Sequence, residues 1–243
     1  MIKEVFFLKI KFSNYKLKDF NKLINKRGLF LFPSGPGLST IKNNKKYCNA
    51  LQQADVNFFD SGYFVLLLRY LKNIKVNKFS GYLFIKYFLE YLKKNKIKVL
   101  SIDPNKIIST SVEKLLLKKI INKKLLINYI APIYDKYEII DIKLLKIIKR
   151  TKPRFVLINI AGGTQEILGL YLKKNLNYKP TILCTGAAIT FFTGDQAPIS
   201  SFLDNIYLGW FTRILYNPKL FLLRYVKTFK LIFILQKNKI TFK

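Results

Sequence analysis

Histidine is absent from this chain of 243 residues. That removes Ser-His-Asp and Cys-His pairs and most zinc sites together, since each needs an imidazole as base or ligand. Cysteine occurs only as Cys48 and Cys184. Two such residues make neither a disulfide framework nor a Cys-x-x-Cys site, and they fit a reduced, intracellular setting. Acidic residues are scarce as well, with Asp+Glu 13 against Lys+Arg 44. Acid–base chemistry therefore falls to few carboxylates. Long apolar runs are missing: none approaches the ~18–20 residues of a membrane-spanning helix. The longest near the C-terminus, Leu231 to Leu235, is bounded by Lys230 and Gln236. The opening MIKEVFFLKIKF has charges within its apolar run and no small-residue cleavage site, so it reads as a strand and not as a signal peptide.

What is present is apolar and basic. Half the residues are hydrophobic and 15% are aromatic, enough for the core of one large α/β domain or a domain with an appendage. The net charge of +31 predicts attraction to an anionic partner: nucleic acid, an anionic membrane surface or a phosphorylated substrate. Enrichment in Lys, Asn and Ile, of the kind AT-rich coding produces, accounts for part of the excess. The basic residues are spread along the whole chain, which argues against a nucleic-acid tail.

Strands alternate with helices. Strands are expected at 1–12, 28–32, 56–59, 97–102, 125–130, 154–160 and 181–186. Helices are expected at 17–25, 41–53, 63–71, 81–95, 107–121, 139–150 and 164–176. This is the pattern of a Rossmann-like, mostly parallel sheet with helices on both faces, and ligands of such sheets sit outside the carboxyl ends of the strands. The exits to inspect are the loop Pro33-Ser34-Gly35-Pro36-Gly37, Asp60-Ser61-Gly62, Asp103-Pro104-Asn105, Ala161-Gly162-Gly163 and Thr185-Gly186. The character changes near Ser200. Residues 1–200 read as the α/β domain and 201–243 as a basic, helical, membrane-associating appendage broken at Pro218.

Five features carry chemistry. Asp60 stands where a strand stops and a helix begins; it reads either as the helix cap or as a general base facing a substrate hydroxyl. Gly162-Gly163 leads into a helix, as an ordinary tight turn or as a backbone that admits a diphosphate to a helix N-terminus, with Gln165 and Glu166 as polar groups for a sugar or nucleoside. Arg213 and Arg224 are either solvated or lipid-facing charges, or forks for diphosphate oxygens; Trp210 lies one helical turn from Arg213. From Lys219 to Lys237 the cations Lys219, Arg224, Lys227, Lys230 and Lys237 fall within an arc of roughly 140° on a helix otherwise almost wholly apolar. That is the pattern of an interfacial membrane helix, or of a helix packed on the domain with its lysines in water. Finally, no Asp-x-Asp pair occurs. Metal-dependent sugar-nucleotide transferases commonly hold a cation with one, so a metal-independent mechanism is expected.

Three blocks resemble the WecG/TagA/CpsF bacterial glycosyltransferases, glycosyltransferase family 26. The first runs from Ala54-Asp55 through Asp60-Ser61-Gly62 to Arg69 and Ser80-Gly81. The second is Ala161-Gly162-Gly163-Thr164-Gln165-Glu166, similar to the family's Gly-x-Pro-x-Gln-Glu. The third is Gly186-Ala187-Ala188, Gly194, Ala197-Pro198, Trp210, Arg213, Pro218 and Arg224. The resemblance implies an inverting, metal-independent transferase without cofactor. It implies transfer of an N-acetylmannosamine-type sugar from a UDP-sugar to an undecaprenyl-diphosphate-linked acceptor, at the cytoplasmic face of the cell membrane. It assigns the base to Asp60, diphosphate-binding arginines to Arg213 and Arg224, and the polar pair near the nucleotide to Gln165 and Glu166. Ser34, Gly62, Gly162, Gly163 and Gly186 are expected to line the substrate site.

Departures from the family pattern are specific. Its Thr-x-Asn is replaced by Phe32-Pro33-Ser34-Gly35-Pro36-Gly37, its motif proline by Gly163, the Arg of Arg-Ala-Pro by Gln196, and the Glu before Trp210 by Gly209. A catalytically impaired scaffold is one alternative these departures raise. A basic nucleic-acid-binding module is the other, supported by charge alone.

Overall fold

The computed structural model describes residues 2–120, 122–135, 138–195, 207, 214–215 and 218–243. Gln196, Ala197, Pro198, Gly209, Trp210 and Arg213 lie outside them.

The chain opens with a hairpin. β1 (Glu4–Phe7) and β2 (Ile10–Ser13) pair antiparallel around Leu8 and Lys9, both at positive φ (51° and 60°). One strand over 1–12 was expected; the turn uses two residues that carry no turn signal. After α1 (Phe20–Asn25), β3 (Gly28–Leu31) leads to a short helix, α2 (Gly35–Ser39), where a loop was expected. Ser34 caps it: its Oγ accepts from the Gly37 N–H at 3.3 Å. Helix α3 (Lys45–Gln52) starts later than expected because Asn44 Oδ1 caps the Tyr47 N–H at 2.9 Å.

β4 (Val56–Phe58) precedes α4 (Gly62–Lys72) and α5 (Gly81–Lys94). Three strand–helix units follow: β5 (Val99–Asp103) with α6 (Lys106–Leu117), β6 (Leu126–Ile130) with α7 (Ile142–Thr151), and β7 (Phe155–Ile158) with α8 (Thr164–Asn175). β8 (Thr181–Cys184) and the short α9 (Thr190–Thr193) come next. The described chain ends with α10 (Pro218–Thr228), α11 (Lys230–Gln236) and β9 (Ile240–Phe242).

The nine strands among the described residues join one sheet in the order β6-β5-β7-β8-β3-β4-β2-β1-β9. Pairing is parallel from β6 to β2 and antiparallel at β1 and β9. Strands β3, β5, β7 and β8 are buried at every position, which explains their continuous apolar runs. One core lies on the face covered by α3, α4, α7 and α8, and includes Tyr47, Phe64, Leu144 and Leu168. The other, beneath α1, α5 and α6, is built on Phe30, Phe32, Phe58, Phe84 and Phe88. Phe32 and Phe58 stack there at 4.3 Å between ring centroids.

The C-terminal segment is tied into this body. Leu231 and Leu235 of α11 are buried in the first core, α10 and α11 pack on α2, and β9 pairs with β1 through Ile240–Phe7 and Phe242–Val5. Residues so far apart in sequence give no local signal that they pair. No helix among the described residues is long and apolar enough to cross a membrane.

Candidate active site

Direction of chain exit defines the crevice. From β7 and β3 the chain leaves toward helices of the first core, whereas from β5 and β8 it leaves toward the second. Adjacent strands with diverging exits leave a cleft at the carboxyl edge. Gly162 and Gly163 follow β7, Gly186 follows β8, Ser34 follows β3, and Asp60 and Gly62 follow β4. Sheet order thus brings four separate sequence stretches onto neighbouring strand ends.

Asp60 is half-buried, and its Oδ1 accepts the Gly81 N–H at 2.7 Å. It does not cap α4. That role belongs to Ser61, whose Oγ accepts the Phe64 N–H at 3.2 Å. Asp60 instead faces the first turn of α5. Gly81 has ordinary packing around it: a Cβ there would lie 3.5 Å from each of Phe32, Thr185 and Ala188. This corner gathers the exits of β3, β4 and β8.

Gln165 and Glu166 are 3% and 1% exposed, and their side chains bind the loops around them. Glu166 Oε2 accepts the Gly163 N–H at 2.6 Å, and Oε1 accepts from Gln165 Nε2 at 2.9 Å. Gln165 Oε1 in turn accepts the Gly186 N–H at 2.7 Å. A relay of three bonds therefore ties the exit of β7 to that of β8. Burial pushes the Glu166 carboxyl up to about 7 against the hydrogen bonds it accepts, and the charge of Asp60 adds to the rise.

Gly163 (φ 91°) turns the chain into α8, and open space surrounds the position of a Cβ at Gly162 and Gly163 alike. The backbone entering α8 is thus accessible at a helix N-terminus. Gly62 is confined instead: a Cβ would come within 2.8 Å of the Tyr207 carbonyl oxygen, so Tyr207 lies directly against the start of α4. Lys78 Nζ lies 6.0 Å from the centre of the Tyr207 ring. Arg224 is exposed on α10, while the expectation for Arg213 falls outside the described residues.

Four polar groups at this edge were given no role from the sequence. Asp103, read as part of a turn, is the fully buried last residue of β5. Its carboxylate accepts from Asn159 Nδ2 at 2.8 Å and from Ser101 Oγ at 3.0 Å, and burial raises its pKa. Asn159 Oδ1, the Tyr47 hydroxyl and Thr185 Oγ1 are buried without a hydrogen-bond partner among the described residues. An asparagine closing the apolar run Phe155–Ile158 was the available signal for the first of these.

The model of the glycosyl transferase WecG/TagA/CpsF family matches residues 5–243. The chain belongs to that family. No curated protein matches it. For a WecG/TagA/CpsF member the crevice acquires a chemical sense, since the family implies sugar transfer in cell-surface polymer synthesis, from a nucleotide-sugar donor to a lipid-linked acceptor. The match extends to residue 243, so it takes in α10, α11 and β9 together with the α/β body.

Proposed function

We propose that the protein is an inverting glycosyltransferase that moves an N-acetylmannosamine-like sugar from a UDP-sugar to a polyprenyl-diphosphate-linked acceptor. Asp60 is the general base. As the acceptor hydroxyl attacks the anomeric carbon, its proton passes to the Asp60 carboxylate, the new glycosidic bond forms on the opposite face of the sugar, and the bond to UDP breaks. The open backbone at Gly162 and the start of α8 receives the departing diphosphate, the Gly163 N–H being held by Glu166. Arg213 and Arg224 neutralise diphosphate charge, on the leaving group or on the acceptor. Gln165 and Glu166 act by holding the loops that form the pocket. Basic and apolar residues of α10 and α11 hold the protein against an anionic membrane at its cytoplasmic face.

The observation that carries this reading is the position of Asp60. It is a carboxylate at a strand exit, oriented by the α5 N-terminus, in the same crevice as the open Gly162-Gly163 backbone. The test is a transfer assay with a panel of UDP-sugars and a lipid-diphosphate acceptor analogue, with product configuration read by NMR. Transfer with inversion from one UDP-N-acetylhexosamine is expected. Absence of transfer from every donor that binds would point to the impaired scaffold instead.

A further inference from the structure

The exit of β8 carries a hydroxyl that neither the fold nor the proposed reaction uses. Thr185 follows Cys184, the last residue of β8, and is 8% exposed. Its Oγ1 is buried without a hydrogen-bond partner among the described residues. A threonine at this position can cap the helical turn that follows, here Gly186–Ala188. Thr185 makes no such side-chain bond, although its carbonyl oxygen accepts the Ala188 N–H at 3.2 Å and closes the turn. A buried hydroxyl left unpaired costs stability. A ligand that bonds to it removes that cost.

Thr185 is fixed from two sides. The N–H of the next residue, Gly186, is held by Gln165 Oε1 at 2.7 Å, so the relay from Glu166 through Gln165 ends beside Thr185. On the other side, a Cβ at Gly81 would lie 3.5 Å from Thr185 Cβ, and the Gly81 N–H is bonded to Asp60 Oδ1. One glycine therefore separates Thr185 from the proposed base.

Sheet order indicates what would meet this hydroxyl. The open backbone at Gly162 follows β7 and Asp60 follows β4, with β8 and β3 between them. A sugar whose diphosphate sits at the first, and whose anomeric carbon is attacked beside the second, crosses the exits of β8 and β3. At the β3 exit Phe32 and Pro33 are apolar, and Ser34 Oγ already accepts the Gly37 N–H. Thr185 Oγ1 is an uncommitted polar group on that path. The geometry points to Thr185 as a specificity-determining residue whose hydroxyl bonds a hydroxyl or acetamido group of the donor sugar. A threonine hydroxyl both donates and accepts, so it serves either group. The inference rests on the transferase reading, but its test needs no turnover.

The experiment is calorimetric titration of the full chain with UDP-N-acetylmannosamine and, separately, with UDP. Thr185→Val keeps the shape of the side chain and removes its hydroxyl. It should raise the Kd for the UDP-sugar about tenfold, the loss of one hydrogen bond to the ligand, and leave the Kd for UDP within a factor of about two. Thr185→Ser should retain wild-type affinity for both. Because the hydroxyl has no partner in the free protein, Thr185→Val should melt no lower than wild type. An unchanged UDP-sugar Kd would overturn the proposal. So would a parallel loss of UDP and UDP-sugar affinity, or a lowered melting temperature, since either marks a structural hydroxyl. The expected Thr185→Val binding defect in a protein that transfers from no donor would count against the transferase reading and not against Thr185. Normal transfer with an unchanged Kd in Thr185→Val would do the reverse.

Discussion

Asp60 Oδ1 accepts the Gly81 N–H at 2.7 Å, so one carboxylate joins the exit of β4 to the first turn of α5. Orientation of the proposed base therefore depends on how α5 is seated. Two glycines next to this bond differ in what surrounds them. At Gly81 a Cβ meets ordinary contacts of 3.5 Å, while at Gly62 it would approach the Tyr207 backbone to 2.8 Å. Gly81→Ala should leave stability within about 0.5 kcal/mol of wild type. Gly62→Ala should cost about 1–3 kcal/mol by overpacking. Denaturant titration of the two variants checks the contrast, and equal stabilities would remove the close approach of Tyr207.

Glu166 gives a pH signature. Its carboxyl is raised to about 7 from the ordinary value of about 4.5, chiefly by burial. The folded state therefore holds a proton that the unfolded chain releases, and stability falls as pH rises from about 4.5 through about 7. At ~1.4 kcal/mol per unit the loss is about 3 kcal/mol, as an order of magnitude. Replacing Glu166 by Gln should flatten this part of the stability–pH curve. Activity should respond in the opposite sense, since the carboxylate accepts from both Gly163 and Gln165 and orders both loops when ionised. A limb near pH 7 in kcat/KM, absent from Glu166→Gln, is the expected result; identical profiles would contradict it.

The entry to α8 separates backbone strain from ligand access. Gly162 and Gly163 both have open space at the Cβ position, but only Gly163 has positive φ, at 91°. Gly163→Ala should destabilise the fold by about 1–2 kcal/mol through its backbone conformation. Gly162→Ala should fold normally and raise the Kd for UDP-sugar, because its methyl group occupies the path of the diphosphate. Calorimetry of folding and of donor binding distinguishes the two.

Ser61 and Asp60 should also separate. Loss of the Ser61 cap in Ser61→Ala should lower stability by about 1 kcal/mol. Asp60→Asn keeps an oxygen for the Gly81 N–H and should change stability less. Equal thermal shifts in the two variants would put the cap in the wrong place.

Much of the fold was legible because parallel strands and their crossover helices write themselves locally. Runs such as Phe155–Ile158 are continuous and apolar since both faces are covered, and Gly163-Thr164-Gln165-Glu166 announces a helix start. Pairings between distant segments were not legible. Nothing near Ile240 signals that it lies beside Phe7, and the Leu8-Lys9 turn lacks the usual residues. The segment Gly35-Pro36-Gly37 reads as a loop by propensity, yet it becomes helical once Ser34 caps it and Leu38 is buried.

The site was legible in part. Position at strand exits followed from the alternation, and so did the neighbourhood of Asp60. The roles of Gln165 and Glu166 were harder to see. A Glu at the third helical position bonds back to the helix start, a signal present in the spacing Gly163 to Glu166. Its further bond to Gln165, and the contact of Gln165 with Gly186, depend on β7 and β8 being neighbours. Asp103 and Asn159 come together for the same reason, across β5 and β7.

The most direct measurement is single-turnover transfer by Asp60→Asn, with UDP-sugar affinity measured on the same sample. Loss of the base should slow transfer by about 10²–10⁴-fold while donor Kd stays within a factor of about two. Transfer at the wild-type rate with donor binding intact would contradict the assignment of Asp60 as the base.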